Sequence, residues 1–291
     1  MVKPCAMAYS TECPVGSRTC GTRRMPTLTT ADGTLWGYGR SGRAGGRPVL
    51  VHHGLIGDAA LDPRMTALGE DHGLEWIVIE RPGYGQTPPM AMDRIADWPA
   101  MIAPVLEALG ITGRFDAVGV SAGAPYTYAL SAGMADRAGR LCILSGVPFI
   151  GMEAVLAAYP EDGQASYARY ATAGETALRD EFRIFCETMA ARFADHAGLS
   201  AALTAILAQD VAGPAREARL QARDWGFPPG AVRCPVDLWH AQADDLVPYA
   251  AARLSADGLP NAAWHIQADP SHMASDATLR EMAERLAQPE G

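Results

Sequence analysis

Short apolar runs, several rich in β-branched residues, recur at positions 48–52, 76–79, 115–120, 141–144, 236–239 and 263–266. A run with no polar face suits a strand buried on both sides, the condition of a parallel sheet covered by helices. Most of these runs are separated by stretches long enough for a helix. The pattern therefore predicts alternating strands and helices around a mainly parallel sheet. Upstream, two runs with strand-like alternation over residues 28–38 flank Asp32-Gly33. That dipeptide accepts positive φ, so an antiparallel hairpin is expected to open the domain.

Helical spacing fills the gaps. Asp97 is the expected N-cap of a helix with Pro99 in its first turn and an apolar stripe of Met101, Val105, Leu106 and Leu109, ending at Gly110. Residues 124–134 and 276–286 read similarly, the latter opening at Asp276 with Leu279, Met282, Ala283 and Leu286 on one side. The alternation breaks after Val147, and no convincing strand follows until about Val232. Within that stretch Leu178, Phe182, Phe185, Met189 and Phe193, then Leu199, Leu203, Ile206 and Leu207, follow helical spacing. A helical insertion over 148–232 is expected, dividing a core of 25–147 and 233–291. Lying between two sheet strands, it would sit over the strand ends, where open α/β sheets bind ligands, and so form a cap.

Composition narrows the function classes. The 291 residues are 48% hydrophobic and 20% charged, with a formal net charge of -9. No apolar run approaches the roughly 20 residues that span a bilayer. No basic cluster offers phosphates a surface, so neither nucleic acid nor membrane is an expected partner. Residues 1–24 carry Lys3, Arg18, Arg23 and Arg24 without a secretory apolar core, and show no strand or helix period. They are expected to be a leader, with the functional chain beginning near Met25. Cys5, Cys13 and Cys20 crowd that leader, whereas Cys142, Cys186 and Cys234 lie in apolar surroundings without paired spacing. The second group reads as buried thiols of a reducing, cytoplasmic compartment, and no cysteine pattern suggests a metal.

The chemistry-bearing motif is Gly119-Val120-Ser121-Ala122-Gly123, set between an apolar strand and a helical run. In G-x-S-x-G the glycines let the chain make a strained strand-to-helix turn that exposes the serine. A serine hydroxyl needs a base to take its proton and a carboxylate to fix the tautomer of that base. Downstream, Asp244 and Asp245 follow the run at 236–239, and either could be the acid. His272 follows the last strand in a loop with Asp269, Pro270 and Ser271, whereas His265 falls inside that strand. His272 is therefore the expected base, and activity should fall on the acid side as it protonates. His52-His53-Gly54-Leu55 follows the first parallel strand, and the backbone N–H groups of Leu55 and Ala122 are the expected oxyanion donors. The two adjacent histidines lack a further ligand at suitable spacing, so no metal is expected there.

These segments resemble bacterial members of the α/β-hydrolase superfamily over residues 28–286. The resemblance is carried by His53-Gly54-Leu55, by Glu80-Arg81-Pro82-Gly83-Tyr84-Gly85, by the stretch from Gly119 to Tyr126, by Trp225-Gly226-Phe227 with Trp239-His240, and by the stretch from Asp244 to Pro248 with His272. It implies an α/β-hydrolase fold: an eight-stranded, mainly parallel sheet with the second strand antiparallel, a cap between strands six and seven, and no cofactor. It also places the acid four residues before Pro248, at Asp244. Ala122, Ala241 and Ser271 stand where many relatives carry glycine. The implied activity is hydrolysis of a carboxylic ester or lactone of a small, bulky apolar molecule through an acyl-enzyme on Ser121, with macrolide lactones as a narrower expectation from resemblance alone. Tyr126 and Trp225, with other aromatic residues, are expected to line an apolar pocket beneath the cap. The alternatives are a perhydrolase or acyltransferase using the same serine, or a ligand-binding protein that keeps the fold without the chemistry.

Overall fold

The structure, a computed structural model, describes residues 25–267 and 271–288. The expected leader at 1–24 lies outside the described residues, as do Asp269 and Pro270 of the loop before His272. Eight strands, β1 (Thr27–Thr29), β2 (Leu35–Gly42), β3 (Arg47–His52), β4 (Leu74–Ile79), β5 (Phe115–Val120), β6 (Ala138–Leu144), β7 (Val236–Ala241) and β8 (Ala262–Gln267), form one sheet in the order β1-β2-β4-β3-β5-β6-β7-β8. β2 runs antiparallel to both β1 and β4, and every pair from β4 to β8 is parallel. The expected hairpin is the β1–β2 pair, with Gly33 at φ +86.

Alternation along each strand divides the core in two. Leu50, Ile77, Ile79, Ala117, Leu141, Ile143 and Leu238 face α2 (Trp98–Ala108), α3 (Ala124–Gly133) and α9 (Tyr249–Asp257). Val49, Val51, Trp76, Val78, Val118, Cys142, Leu144 and Trp239 face α1 (Pro63–His72) and α10 (Asp276–Ala287). Each such aliphatic side chain contributes roughly 1.5–3 kcal/mol by leaving water, so Leu50→Ala alone would remove a large share of the net stability.

Local details depart from the expected boundaries for physical reasons. The Asp97 backbone is already helical, so its carboxylate faces backward and caps the preceding turn at Asp93 N (3.0 Å) and Arg94 N (2.9 Å). The buried stripe of α2 is Trp98, Ile102, Val105 and Leu106, with Met101 and Leu109 at its margin. α10 opens at Asp276 as expected, with Ser275 as its N-cap accepting from Thr278 N at 3.2 Å and Asp276 paired with Arg64. α1 has sequence signals that escaped notice: an Asp62 cap, Pro63 at its start and Gly73 in the left-handed conformation at its end.

Between β6 and β7 lie five helices, α4 (Glu153–Ala157), α5 (Glu161–Thr172), α6 (Glu175–Arg192), α7 (Ala197–Ala208) and α8 (Ala212–Gln221). Their own core contains Leu178, Phe182, Cys186, Leu203, Ile206 and Val211, together with Tyr84 from the sheet side. Leu178, Phe182 and Cys186 repeat every four residues and form one seam, which leaves Phe185 at 38% exposure outside it. Among the described residues no helix is long and apolar enough to cross a membrane.

Candidate active site

β5 delivers Ser121 into a tight turn at φ +50, a left-handed conformation that costs a non-glycine residue of order 1–3 kcal/mol. The flanking glycines make that turn possible. A Cβ on Gly119 would lie 2.5 Å from Thr127 Oγ1 and 2.8 Å from Ala124 Cα, and one on Gly123 would meet the His52 carbonyl and stand 2.8 Å from that of His53. Neither position has room for a side chain, so the strain at Ser121 is held by packing on both sides.

Asp244 lies three residues beyond β7, at the same carboxyl-terminal edge of the sheet as Ser121. Its Oδ1 accepts from Leu246 N and Val247 N, both at 2.9 Å, and its Oδ2 lies 2.8 Å from His272 Nδ1. A carboxylate only accepts, so Nδ1 carries the proton and Nε2 of the neutral ring is left as a lone pair. Burial raises the Asp244 pKa, but the His272 hydrogen bond and charge and the two amides outweigh it, holding it below its ordinary value. His240 Nε2 donates to Val247 O at 2.9 Å and lies 3.4 Å from Asp244 Oδ2, while burial pushes this histidine below its ordinary value. Asp245 is exposed. His265 pairs with buried Asp237 at 2.8 Å and stacks on Trp239, as a strand histidine with a structural place.

The loop after β3 approaches the serine from the other side, since a Cβ placed on Gly54 would lie 3.7 Å from Ser121 Cβ. In a trans peptide the N–H points away from the carbonyl of the preceding residue, so fixing one fixes the other. The Leu55 N–H shares its peptide with the Gly54 carbonyl, which accepts from His53 Nδ1 at 2.8 Å and Arg81 Nη2 at 3.2 Å. The Ala122 N–H shares its peptide with the Ser121 carbonyl, which accepts from Val147 N at 3.0 Å. Both expected oxyanion donors thus belong to anchored peptide planes. His52 receives the Trp98 indole N–H on Nε2 at 2.9 Å and meets Thr127 Oγ1 through Nδ1 at 2.8 Å, so both of its ring nitrogens are engaged.

The sequence profile of the alpha/beta hydrolase family matches residues 49–288. The chain belongs to the alpha/beta hydrolase family. No curated protein matches it in sequence. Among solved structures, the α/β-hydrolase is similar to an esterase from Exiguobacterium antarcticum with TM-score 0.68 and 13% identity, covering 90% of this chain and 97% of that one. It is also similar to an enol-lactonase from Burkholderia xenovorans, with TM-score 0.61, 19% identity and 90% and 96% coverage. A third similar structure is an esterase from a Rhodococcus species, with TM-score 0.58, 18% identity and 91% and 98% coverage. At these identities the likeness is one of fold.

In this α/β-hydrolase the helix α8 docks the cap on the site, through residues that the sequence pattern did not single out. Glu217 and Arg81, both fully buried, form a bidentate ion pair, and Arg81 Nη1 continues to the His53 carbonyl at 2.7 Å. Gln221 Nε2 donates to the Ala122 carbonyl at 3.0 Å. Gly213 packs so closely on Tyr84 and the Gly83 carbonyl that a Cβ there has no space. In sequence α8 reads as a charged, alanine-rich helix with a solvated face, and no local signal marks Glu217 or Gln221. Tyr126 and Trp225, expected beneath the cap, are placed differently from each other. Tyr126 is fully buried between His52, Trp98 and the Arg81 guanidinium, as part of the core. Trp225 donates to the Gln221 carbonyl at 3.0 Å and lines, with Phe149, Met152 and Phe227, an open groove of about 420 Å³.

Proposed function

We propose that this α/β-hydrolase cleaves a carboxylic ester or lactone by way of an acyl-enzyme on Ser121. The reading is supported by the placement, at the same sheet edge, of a strained serine turn after β5 and of a histidine after β8 whose Nδ1 is held 2.8 Å from the carboxylate of Asp244. His272 Nε2 takes the Ser121 proton as the hydroxyl oxygen bonds to the carbonyl carbon. The tetrahedral oxyanion is held by the Leu55 and Ala122 N–H groups, a contribution of roughly 2.7–4 kcal/mol per donor. His272 returns the proton to the departing alcohol oxygen; a water molecule then bonds to the acyl carbon as the same nitrogen takes its proton, and that proton passes to Ser121 Oγ as the acyl–oxygen bond breaks and the acid leaves. Asp244 stabilises the imidazolium formed between these steps.

A substrate with a bulky apolar part belongs to this reading through the resemblance, and the groove lined by Phe149, Met152, Trp225 and Phe227, whose walls do not include Ser121, Asp244 or His272, offers apolar surface elsewhere on the molecule. Macrolide lactones are the narrower form of this proposal and rest on the resemblance. Short aryl esters, simple lactones and macrolides incubated with the wild type and Ser121→Ala, with mass spectrometry for addition of water, test the reading. Hydrolysis by the wild type that Ser121→Ala loses is expected; equal hydrolysis by both would overturn it.

A further inference from the structure

Beside the oxyanion loop, side chains from four parts of the chain bring together buried polar atoms with no hydrogen-bond partner among the described residues. They are Nε and Nη2 of Arg216, the hydroxyls of Tyr84 and Tyr126, and Nε2 of His53. Both tyrosines are fully buried and His53 is 8% exposed, while Arg216 is half-buried. The His53 and Tyr84 rings lie 4.7 Å apart, and the Arg81 guanidinium sits 5.3 Å from the Tyr84 ring and 4.8 Å from that of Tyr126. Arg216 reaches toward the Tyr126 hydroxyl without a well-formed bond, and its charge also acts on Tyr84 and His53. Desolvated groups of this kind are costly unless something satisfies them.

The atoms concerned specify what would satisfy them. Nε and Nη2 are the edge of a guanidinium that forks onto a carboxylate. This protein uses that edge in Arg81 for Glu217, in Arg40 for Glu75 and in Arg169 for Glu181. Arg81 is neutralised by Glu217, but among the described residues no carboxylate pairs with Arg216, so the cluster retains one uncompensated positive charge. Gly54 O, an acceptor only, fixes the His53 proton on Nδ1, and burial with the Arg81 charge keeps the ring neutral, so His53 Nε2 can only accept. It can take the Tyr84 hydroxyl proton or a hydroxyl of the ligand. Arg216 lies on α8 next to Glu217, whose partner Arg81 holds the oxyanion loop, and five residues before Gln221, which holds Ala122.

We propose that Arg216, with the Tyr84 and Tyr126 hydroxyls, is a carboxylate-recognition subsite, and that the substrate is an ester or lactone bearing a free carboxylate near the scissile bond. The subsite deepens the serine-hydrolase reading, on which its substrate assignment rests.

Isothermal titration with glutarate reads the subsite without turnover. The wild type is expected to bind glutarate, Arg216→Gln to bind it about ten-fold or more weakly, and Arg216→Lys, which keeps charge without the fork, to fall between. No binding to the wild type, or equal affinity in Arg216→Gln, would overturn the subsite. Kinetics read the substrate class. The ratio of kcat/KM for mono(4-nitrophenyl) glutarate to that for 4-nitrophenyl butyrate is expected to fall about ten-fold or more in Arg216→Gln. A ratio indifferent to Arg216 would overturn the class. Glutarate binding that depends on Arg216, with neither ester turned over, would support the subsite while removing the hydrolase reading.

Discussion

Arg81, just beyond β4, and Glu217, on α8, form a buried ion pair that joins α8 to the loop after β3, because Arg81 also holds the His53 and Gly54 carbonyls at 2.7 and 3.2 Å. Burial opposes the guanidinium charge, and the Glu217 carboxylate outweighs that opposition and raises the Arg81 pKa. The pair therefore stands or falls as a unit.

Glu217→Gln preserves shape but leaves a buried guanidinium unpaired, at an expected cost of about 3–5 kcal/mol. Urea unfolding should show this as a lower midpoint at unchanged slope. Arg81→Met combined with Glu217→Leu removes both charges and should recover most of that stability. Its kcat should stay about ten-fold or more below wild type, because the Leu55 peptide has lost an anchor and part of an oxyanion donor worth roughly 2.7–4 kcal/mol. Recovery of kcat together with stability would show that Arg81 acts through folding alone.

The two adjacent acids separate cleanly. Asp244→Asn should lower kcat by about three to four orders of magnitude, since an amide that donates to Nδ1 imposes the wrong tautomer on His272. Asp245 is exposed, and Asp245→Asn should leave kcat/KM within about two-fold, as surface substitutions do. Comparable losses in both variants would contradict the assignment.

How much of this site was legible depended on whether its signal was local. Ser121 could be read as a candidate nucleophile because Gly119 and Gly123 are dictated by a turn of five residues, and His272 as a candidate base because it follows an apolar strand. The α10 stripe of Leu279, Met282, Ala283 and Leu286 was readable for the same reason, as all four are buried. Asp97 stands at the expected N-cap position of α2, but its carboxylate bonds back to the preceding turn, because the use of a cap side chain depends on backbone angles that the residue type does not set. Glu217 and Gln221 were invisible, since their partners Arg81 and Ala122 lie far away along the chain, and so was Arg216, whose surroundings are set by Tyr126, Tyr84 and His53 rather than by its own helix. Tyr126 stood out for its aromatic ring, but the strand-turn-helix geometry packs that ring among His52, Trp98 and Arg81, and composition gave no sign that its hydroxyl would be left without a partner among the described residues.

Stability should weaken on the acid side. Burial, helped by the Arg81 charge, holds His52 and His53 well below the ordinary histidine value of 6.5, and burial lowers His240 as well. Below 6.5 the unfolded chain binds protons that these folded rings refuse, so stability is fully present above that value and falls beneath it. Each histidine contributes a slope of up to about 1.4 kcal/mol per pH unit. Asp244, held below 3.8, adds a further loss only as pH drops under that value. Thermal melts between about pH 8 and about pH 5 should show Tm declining once pH passes below the histidine range. A Tm that rises on acidification would contradict buried neutral histidines.

The central claim is that Ser121 is an activated nucleophile, and covalent capture tests it most directly. The full chain treated with a fluorophosphonate at neutral pH, then digested and mapped by mass spectrometry, should carry one phosphonate adduct on the peptide at Ser121, greatly reduced in His272→Ala. Labelling at another residue, or an unmodified Ser121 after prolonged exposure, would contradict it.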